Sequence, residues 1–158
     1  IGIQEAGKAM IARRTKGKII NTASIAGRAG YPDFAPYCAS KFAQTGFLEA
    51  LRTEAADDDV AVMVAYPGVV ATELRRRGWN GRGETAGVSG LSEDRAMSVD
   101  ECVRHIIAGM RERKREVLMT TRDRVALWLK LIAPAAVDRM AKAALARPPL
   151  RATPPEKT

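Results

Sequence analysis

The feature that most constrains the fold is a run of seven apolar residues, Val60 to Tyr66, which stops at Pro67-Gly68. The run has the length of one strand and shows no alternation of polar and apolar residues. Strands that are apolar on both sides are typical of parallel sheets, in which helices cover both faces. The run therefore predicts a central strand of an α/β sheet, with helices packed on either side.

Neighbouring segments supply further strands and helices. Ile19–Ser24 is short, apolar and β-branched, and Glu116–Thr120 is a second short candidate strand. Tyr37–Ala56 has apolar residues three and four apart, which predicts an amphipathic helix of about five turns. Gln4–Arg14 has the pattern of a helix that ends in basic residues. Strand and helix thus alternate with short connections, which favours a right-handed parallel α/β arrangement.

Two loops and a further helix complete the middle of the chain. Gly27 to Pro36 is glycine-rich, and Arg75–Ser92 is rich in glycine and arginine without periodicity, so we expect a mobile loop there. Ser98 is placed to cap a helix that runs through Met110, with Glu101 at the capping-box spacing.

The C-terminal stretch has a different character. Arg124–Leu145 is apolar, basic and helical in pattern, with a break at Pro134. Pro148-Pro149 and Pro154-Pro155 follow, and they predict a disordered end. The expected organisation is a partial catalytic domain over residues 1–123 and a helical tail over residues 124–158.

Three candidate strands are few for an α/β domain. A sheet that began at Ile19 would leave the backbone groups of its first strand unpaired. We therefore expect the chain to be the C-terminal part of a doubly wound, Rossmann-type parallel sheet, whose N-terminal strands precede Ile1.

The charge of the chain is unevenly placed. Of 26 Lys and Arg and 18 Asp and Glu, residues 1–74 hold eight of each kind, so the net charge of +8 lies after Leu74. A basic half can bind nucleic acid or an anionic membrane surface. The arginine clusters Arg75–Arg77 and Arg111–Arg115 lack interleaved aromatic residues and a groove-reading motif. We therefore expect solvated faces and no nucleic-acid partner.

Cysteine usage and hydropathy suggest a cytoplasmic chain. Cys38 and Cys102 have neither metal-ligand nor disulfide-framework spacing, so no metal site is expected. No apolar run approaches the roughly 20 residues that a membrane span requires.

Tyr37 and Lys41 stand four residues apart, so their side chains share one helix face. A cation within about 4–6 Å of a phenol favours its anion, which suits a group that exchanges a proton. Ser24 lies thirteen residues before Tyr37, at the C-terminal edge of the predicted sheet, where open α/β folds bind ligands. Its hydroxyl can polarise a carbonyl oxygen. Each of these features alone is common in proteins, so the prediction of a catalytic site rests on their combination.

Three segments, in this order, resemble motifs of the short-chain dehydrogenase/reductase family. They are Asn21-Thr22-Ala23-Ser24-Ile25-Ala26-Gly27, Pro36-Tyr37-Cys38-Ala39-Ser40-Lys41-Phe42-Ala43 and Tyr66-Pro67-Gly68-Val69-Val70-Ala71-Thr72. The resemblance spans roughly Ile1 to Thr120. From Glu101 through Ala144 the chain resembles, more faintly, the hydroxysteroid-dehydrogenase branch of that family.

The resemblance implies a hydride transfer between NAD or NADP and a secondary alcohol or ketone. Ser24 would orient the substrate oxygen and Tyr37 would act as the general acid/base. Lys41 would hold the nicotinamide ribose and favour the ionised form of Tyr37.

The third motif implies the remaining cofactor contacts. Pro67 and Gly68 would shape the loop beside the nicotinamide, with the Val70 backbone and the Thr72 hydroxyl near its carboxamide. Tyr37 and Lys41 complete the cofactor-binding set.

The chain also departs from the family pattern. No glycine-rich turn for the cofactor phosphates precedes Ser24, and the family's catalytic asparagine is expected before Ile1. The residue that separates NAD from NADP would lie there too, so the choice of cofactor stays open. Because no phosphate-binding turn precedes Ser24, we expect the isolated chain to bind either cofactor weakly and to be inactive alone. The alternative is a non-catalytic interaction module, or one that lies on a membrane surface through its basic, apolar tail.

The resemblance further implies a homodimer or homotetramer, which would form through the helix Tyr37–Ala56 and the helix before Lys16. Phe47 and Leu51 lie four apart on one face of the first of these helices. Whether that face meets the sheet or a partner subunit stays open.

Two further residues invite a functional interpretation but favour a structural one. His105 lies in a predicted helix, and no carboxylate or cysteine stands at a spacing from it that would indicate a site. Cys38 lies inside the second motif, where a small residue suits packing, and no activating partner is evident.

Overall fold

The computed structural model describes residues 2–14, 16–79, 83–87 and 96–145. Three strands form a parallel sheet in the order β1-β2-β3, with β1 at Gly17–Thr22, β2 at Val60–Tyr66 and β3 at Glu116–Leu118. Helices occupy much of the rest: α1 (Gly2–Ala12), α2 (Ala35–Glu54), α3 (Leu74–Arg77), α4 (Val99–Arg111), α5 (Thr121–Ile132) and α6 (Pro134–Leu145). The predicted α/β class and parallel sheet are confirmed.

The central strand β2 is covered on both faces, as its unbroken apolar run predicted. Val60, Val62, Val64 and Tyr66 point to one side, where they pack with residues of α2 that include Leu48. Met63 and Ala65 point to the other side, in a cluster with Cys102 of α4 and Val117 of β3. This alternation is the two-residue period of a strand, and here both faces are apolar.

The first strand ends earlier than predicted. β1 covers Gly17–Thr22, two residues before the predicted Ile19–Ser24. The reason lies in Ser24, whose Oγ accepts the Ala26 N–H at 3.2 Å and so caps a 3₁₀ turn at Ile25–Gly27. The start of the predicted glycine-rich loop therefore belongs to this turn.

The long helix starts before its predicted first residue. α2 begins at Ala35, two residues before Tyr37, and ends at Glu54. Pro36 is accommodated because the amide nitrogens of a helix's first turn have no partner within the helix. Leu51 packs against the core beneath β2, whereas Phe47 is exposed, so the two residues differ although they lie four apart.

Side-chain caps set the ends of the later elements. Ser98 Oγ accepts the Glu101 N–H at 3.2 Å, which confirms the predicted start of α4. The strand predicted to reach Thr120 stops at Leu118, because Thr120 Oγ1 accepts the Asp123 N–H at 3.1 Å and begins α5. The predicted break at Pro134 is confirmed, since α6 starts there.

Part of the predicted loop is ordered. α3 begins at Leu74 and overlaps the first residues of Arg75–Ser92, and Trp79 forms a bridge with Thr85. Residues 80–82 and 88–95 lie outside the described residues, as do the C-terminal proline pairs. α5 runs through the division between residues 123 and 124, and that division stays a prediction. Of the helices in the described ranges, none has the length and apolarity to cross a membrane.

Candidate functional site

The first two strands end side by side, and this brings two of the three motifs together. Thr22 lies opposite Ala65 in the register of β1 and β2. Beyond the strands, the Ala23 N–H donates to the Ala65 carbonyl at 2.9 Å and the Ile25 N–H donates to the Pro67 carbonyl at 3.0 Å. The turn that carries Ser24 is therefore tied to the Pro67-Gly68 loop at the C-terminal edge of the sheet.

Ser24 is buried, and its conformation is fixed by its capping role. Its backbone is extended, with φ −169° and ψ 157°, and its Oγ accepts the Ala26 N–H. A hydroxyl both accepts and donates, so the Ser24 proton is free to point at another acceptor. The side chain is thus held in place with a donor still available for a ligand oxygen.

Gly27 brings the same turn against α2, which carries the second motif. A Cβ built at Gly27 would lie 2.8 Å from the Lys41 carbonyl oxygen and 2.9 Å from Thr45 Oγ1, closer than real Cβ contacts come. Thr45 Oγ1 itself donates to the Lys41 carbonyl at 3.1 Å. Glycine therefore permits the close contact that joins the Ser24 turn to the Lys41 turn of the helix.

Tyr37 and Lys41 lie side by side, as their spacing indicated. The Lys41 Nζ is 5.7 Å from the centroid of the Tyr37 ring and donates a hydrogen bond to Gln44 Oε1 at 3.3 Å. At this distance the ammonium interacts favourably with the ring. The Tyr37 ring is about half exposed, so a ligand can reach it.

The other two tyrosines of the chain are poorer candidates for proton exchange. Burial raises the pKa of the Tyr66 phenol. Burial also raises the pKa of the Tyr31 phenol, and the negative charge of Asp123 raises it further. Both phenols therefore ionise less readily than an ordinary tyrosine, whose pKa is near 10.

In the predicted cofactor loop, the Val70 N–H has no acceptor among the described residues. Met97 pairs on both sides of Val70: its N–H donates to the Val69 carbonyl and its carbonyl accepts the Ala71 N–H, both at 2.9 Å. In this pattern the Val70 amide faces away from Met97. The Val70 carbonyl accepts Arg75 Nη2 at 3.2 Å, while its N–H donates to none of the described residues.

Thr72 lies further along the same loop. Its side chain is exposed, and its hydroxyl forms no hydrogen bond within the described ranges. The Val70 N–H and the Thr72 hydroxyl, neither of which donates to a described residue, are donors of the kind that a carboxamide oxygen requires. The residues present therefore fit the nicotinamide end of a dinucleotide.

Arg28 links the site segments and was not identified from the sequence. Its Nη1 lies 3.3 Å from Glu49 Oε1 of α2 and 3.1 Å from Glu116 Oε1 of β3. Its guanidinium carbon is 5.6 Å from the centroid of the Tyr66 ring, next to Pro67. Glu49 and Glu116 lie far away in the sequence, so no local pattern pointed to these contacts.

Asp123 is a second residue that sequence reasoning missed. Its Oδ2 accepts a hydrogen bond from Thr120 Oγ1 at 2.7 Å and lies 3.9 Å from the position that a Cβ on Gly68 would take. A carboxylate thus stands beside the predicted cofactor loop. The spacing of Thr120 and Asp123 is a capping signal that could have indicated the start of α5, but it could not have indicated that the carboxylate lies near Gly68.

An open cleft of about 490 Å³ lies beside the first turn of α2. Ser24, Tyr37 and Lys41 are not among the residues that line it, which are Gly30, Tyr31, Pro32, Ala35, Cys38 and Asp138. Cys38 is buried there, and its Sγ accepts the Tyr31 N–H at 3.3 Å, which is a packing role. The described part of the chain contains no group of three or more potential metal ligands.

His105 is partly exposed on α4, with its Nε2 4.0 Å from Glu101 Oε1 one turn earlier. The prediction that it has no patterned carboxylate partner was therefore wrong, because Glu101 is both the capping-box residue and this neighbour. An exposed pair at this distance contributes little to stability and indicates no site.

The fold and the edge site together define an α/β protein of the Rossmann type, with its candidate site at the C-terminal ends of parallel strands. Residues 1–82 match the model of the family described as short chain dehydrogenase. Since this match covers more than half of the chain, the chain belongs to the short-chain dehydrogenase family.

Individual relatives agree with this assignment. The chain is 30% identical over 126 residues to the dehydrogenase/reductase SDR family protein 7-like of Anopheles gambiae, which is 79% of this chain and 39% of that protein. It is 40% identical over 73 residues to the (S)-acetoin-forming diacetyl reductase of Staphylococcus epidermidis, which is 46% of this chain and 28% of that protein. The chain thus spans well under half the length of these curated relatives.

A solved structure shows the same fold. A short chain dehydrogenase from Burkholderia cenocepacia, in complex with NADP, superposes with a TM-score of 0.66 at 25% identity. The superposition covers 85% of this chain and 50% of that chain.

Proposed function

We propose that this chain carries the catalytic half of a nicotinamide-dependent oxidoreductase that interconverts a secondary alcohol and a ketone. The observation that supports the proposal best is the close contact of Gly27 with the Lys41 carbonyl. Through this contact, the turn of a buried serine meets the helix on which Tyr37 and Lys41 lie side by side.

In the reducing direction, the Ser24 hydroxyl donates a hydrogen bond to the ketone oxygen and polarises the carbonyl. Tyr37 then donates its phenolic proton to that oxygen, which becomes the alcohol hydroxyl. A proton from solvent then restores the Tyr37 phenol. In the oxidising direction the same groups accept the proton from the alcohol.

A nicotinamide cofactor, NAD or NADP, supplies or accepts the hydride at the carbonyl carbon when bound. The Val70 N–H and the Thr72 hydroxyl would hold its carboxamide, beside Pro67 and Gly68, and Lys41 would contact its ribose. The NADP complex of the Burkholderia cenocepacia relative supports a cofactor of this class. No glycine-rich turn that could hold the cofactor phosphates precedes Ser24, so the whole protein would have to supply one for tight binding.

The decisive variant is Tyr37→Phe in the whole protein that carries this sequence. It removes the phenolic hydroxyl and hardly changes the volume, so the fold should persist while kcat falls by about 100-fold or more, the usual contribution of a proton-transferring group. Turnover is followed by nicotinamide absorbance with NAD(H) and NADP(H) against a panel of ketones and secondary alcohols, and the fold by circular dichroism.

Tyr31→Phe is the matched control, because Tyr31 is 42% exposed and Tyr37 46%. The control should leave kcat within a few-fold of the wild type. A Tyr37→Phe protein that keeps its turnover would contradict the role of Tyr37. A wild-type protein that neither binds a nicotinamide cofactor nor turns over any substrate would favour the non-catalytic alternative.

A further inference from the structure

The outer face of α5 is an apolar stripe without a described partner. Val125, Trp128 and Leu131 follow one another at intervals of three residues, and Ile132 lies four after Trp128, so the four lie on one side of the helix. Their exposures run from 59% to 79%, although each is a large apolar residue. Four such residues on one face are unlike the single exposed apolar residues that are normal on protein surfaces.

The charges of α5 are segregated around this stripe. Asp123 is the single acidic residue of the helix, and it lies on the protein-facing side, bonded to Thr120. Lys130 also turns inward, with its Nζ 3.2 Å from the Arg28 carbonyl and 5.6 Å from the centroid of the Phe42 ring.

The charges that border the stripe are basic. Arg122 and Arg124 are both exposed, and neither forms a described ion pair. The exposed surface of α5 is therefore apolar along its centre and carries positive charge alone at its margins.

Two other occupants fit this face less well. Strands that extend the sheet would add at the free edge of β1, whereas α5 follows β3 at the opposite edge. A second copy of the chain, paired face to face with the two α5 helices parallel, would bring Arg122 and Arg124 of one copy close to the same arginines of the other, and like charges repel. With the helices antiparallel, these arginines would instead lie near the C-terminal end of the other copy's α5, which offers them no carboxylate.

We propose that the outer face of α5 docks onto the surface of an anionic lipid bilayer. The helix lies in the plane of the interface, with the stripe at the boundary between headgroups and acyl chains. Trp128 sits at headgroup level, as tryptophans at membrane interfaces do. Arg122 and Arg124 contact lipid phosphates, and the acidic side chain of the helix stays away from the membrane.

The test is binding of the full chain to vesicles of phosphatidylcholine with phosphatidylglycerol, compared with vesicles of phosphatidylcholine alone. The chain has two tryptophans, so a Trp79→Phe background makes Trp128 the single fluorescent reporter. We expect cosedimentation with the anionic vesicles and a blue shift of the Trp128 emission, both weakened by added salt.

Matched variants distinguish binding through the stripe from non-specific adsorption of the protein to vesicles. Leu131→Ser should lower the partition onto anionic vesicles about tenfold. Leu74→Ser should not, although Leu74 is equally exposed on α3, at 76% against 75%. Arg124→Gln should lower partition about fivefold, whereas Arg13→Gln, also an exposed arginine but remote in sequence from the stripe, should leave it unchanged. Circular dichroism checks that each variant is folded.

Each other outcome overturns the proposal. No binding to either vesicle shows that the stripe does not dock on lipid. Equal binding to neutral and anionic vesicles removes the role of the arginines. Equal losses for Leu131→Ser and Leu74→Ser place the contact elsewhere. Self-association that Leu131→Ser abolishes, measured by sedimentation without lipid, assigns the face to a second copy. None of these results depends on the proposed oxidoreductase activity.

Discussion

Gly27 is the residue at which the first and second motifs meet. The contact is with backbone, the Lys41 carbonyl, and with Thr45 Oγ1, which is itself bonded to that carbonyl. Neither atom is the far end of a flexible side chain, so neither can easily move away. The sequence showed Gly27 as one glycine of a loop, whereas the structure shows why its missing Cβ matters.

We expect Gly27→Ala to lower the free energy of unfolding by about 1–3 kcal/mol, the usual cost of adding a methyl group to a packed site. It should also lower kcat, since the Ser24 turn must move relative to Lys41. Gly46→Ala is the control: it lies within the same helix, and an added Cβ meets nothing within 4 Å. That change should stabilise the protein by about 0.5–1 kcal/mol. Chemical denaturation measures both, and equal stabilities of the two variants would contradict the proposed contact.

Residue spacing predicted contacts between side chains that are close to each other in the sequence. A spacing of four from Tyr37 to Lys41 predicts adjacent side chains on any helix, and the structure has them adjacent. Arg28 and Asp123 could not be found in this way. Their contacts with Glu49, Glu116 and Gly68 join residues that are neighbours because of the sheet order and the path of α5.

At the level of elements, Arg28 joins the turn after β1 to three others. Its guanidinium reaches Glu49 on α2, Glu116 on β3 and the Tyr66 ring at the end of β2. Its carbonyl accepts Lys130 of α5 at 3.2 Å. The side chains of Arg28 and Glu116 are only partly exposed, so this pair is screened less than a surface pair.

Arg28→Met keeps the apolar stem over Tyr66 but removes both ion pairs and leaves the Glu116 carboxylate without its cation. We expect the free energy of unfolding to fall by about 1–2 kcal/mol, after a discount for partial exposure. Lys8→Met breaks the pair with Glu5, in which both side chains are mostly exposed, and should change stability by less than about 0.5 kcal/mol. Thermal unfolding compares the two, and an Arg28→Met protein as stable as the wild type would show that the link is not needed.

The ends of elements were harder to predict than their existence. The apolar run of β2 was predicted to the residue because Pro67-Gly68 stops it. The ends of β1, α2 and β3 moved by two residues, because Ser24 and Thr120 act as caps and Pro36 fits within a helix's first turn. From the sequence alone, a serine or threonine is compatible with both a strand position and a helix cap, and only the hydrogen-bond partner of its hydroxyl decides between them.

For the whole molecule, periodicity predicted a parallel sheet covered on both faces, because burial alone imposes those patterns. Periodicity could not predict how α5 returns across the sheet edge to Arg28 and Phe42, since that path depends on contacts between distant segments. It also left open which side of α2 faces outward. The structure places Leu51 against the core and Phe47 at the surface, and this distinction permits a test of the predicted oligomer.

We expect the whole protein to form a homodimer or homotetramer through α1 and α2, where Ile11 and Phe47 are exposed. Phe47→Asp should then yield folded monomers, because a charge in a contact between subunits is costly while the monomer core is untouched. Leu51→Asp should instead unfold the protein, because it sets a partly buried carboxylate without a partner against the core beneath β2. Sedimentation velocity at micromolar concentration measures the assembly, and circular dichroism the fold. A wild-type protein that sediments as a monomer, or a Phe47→Asp protein that keeps the assembly of the wild type, would rule out this interface.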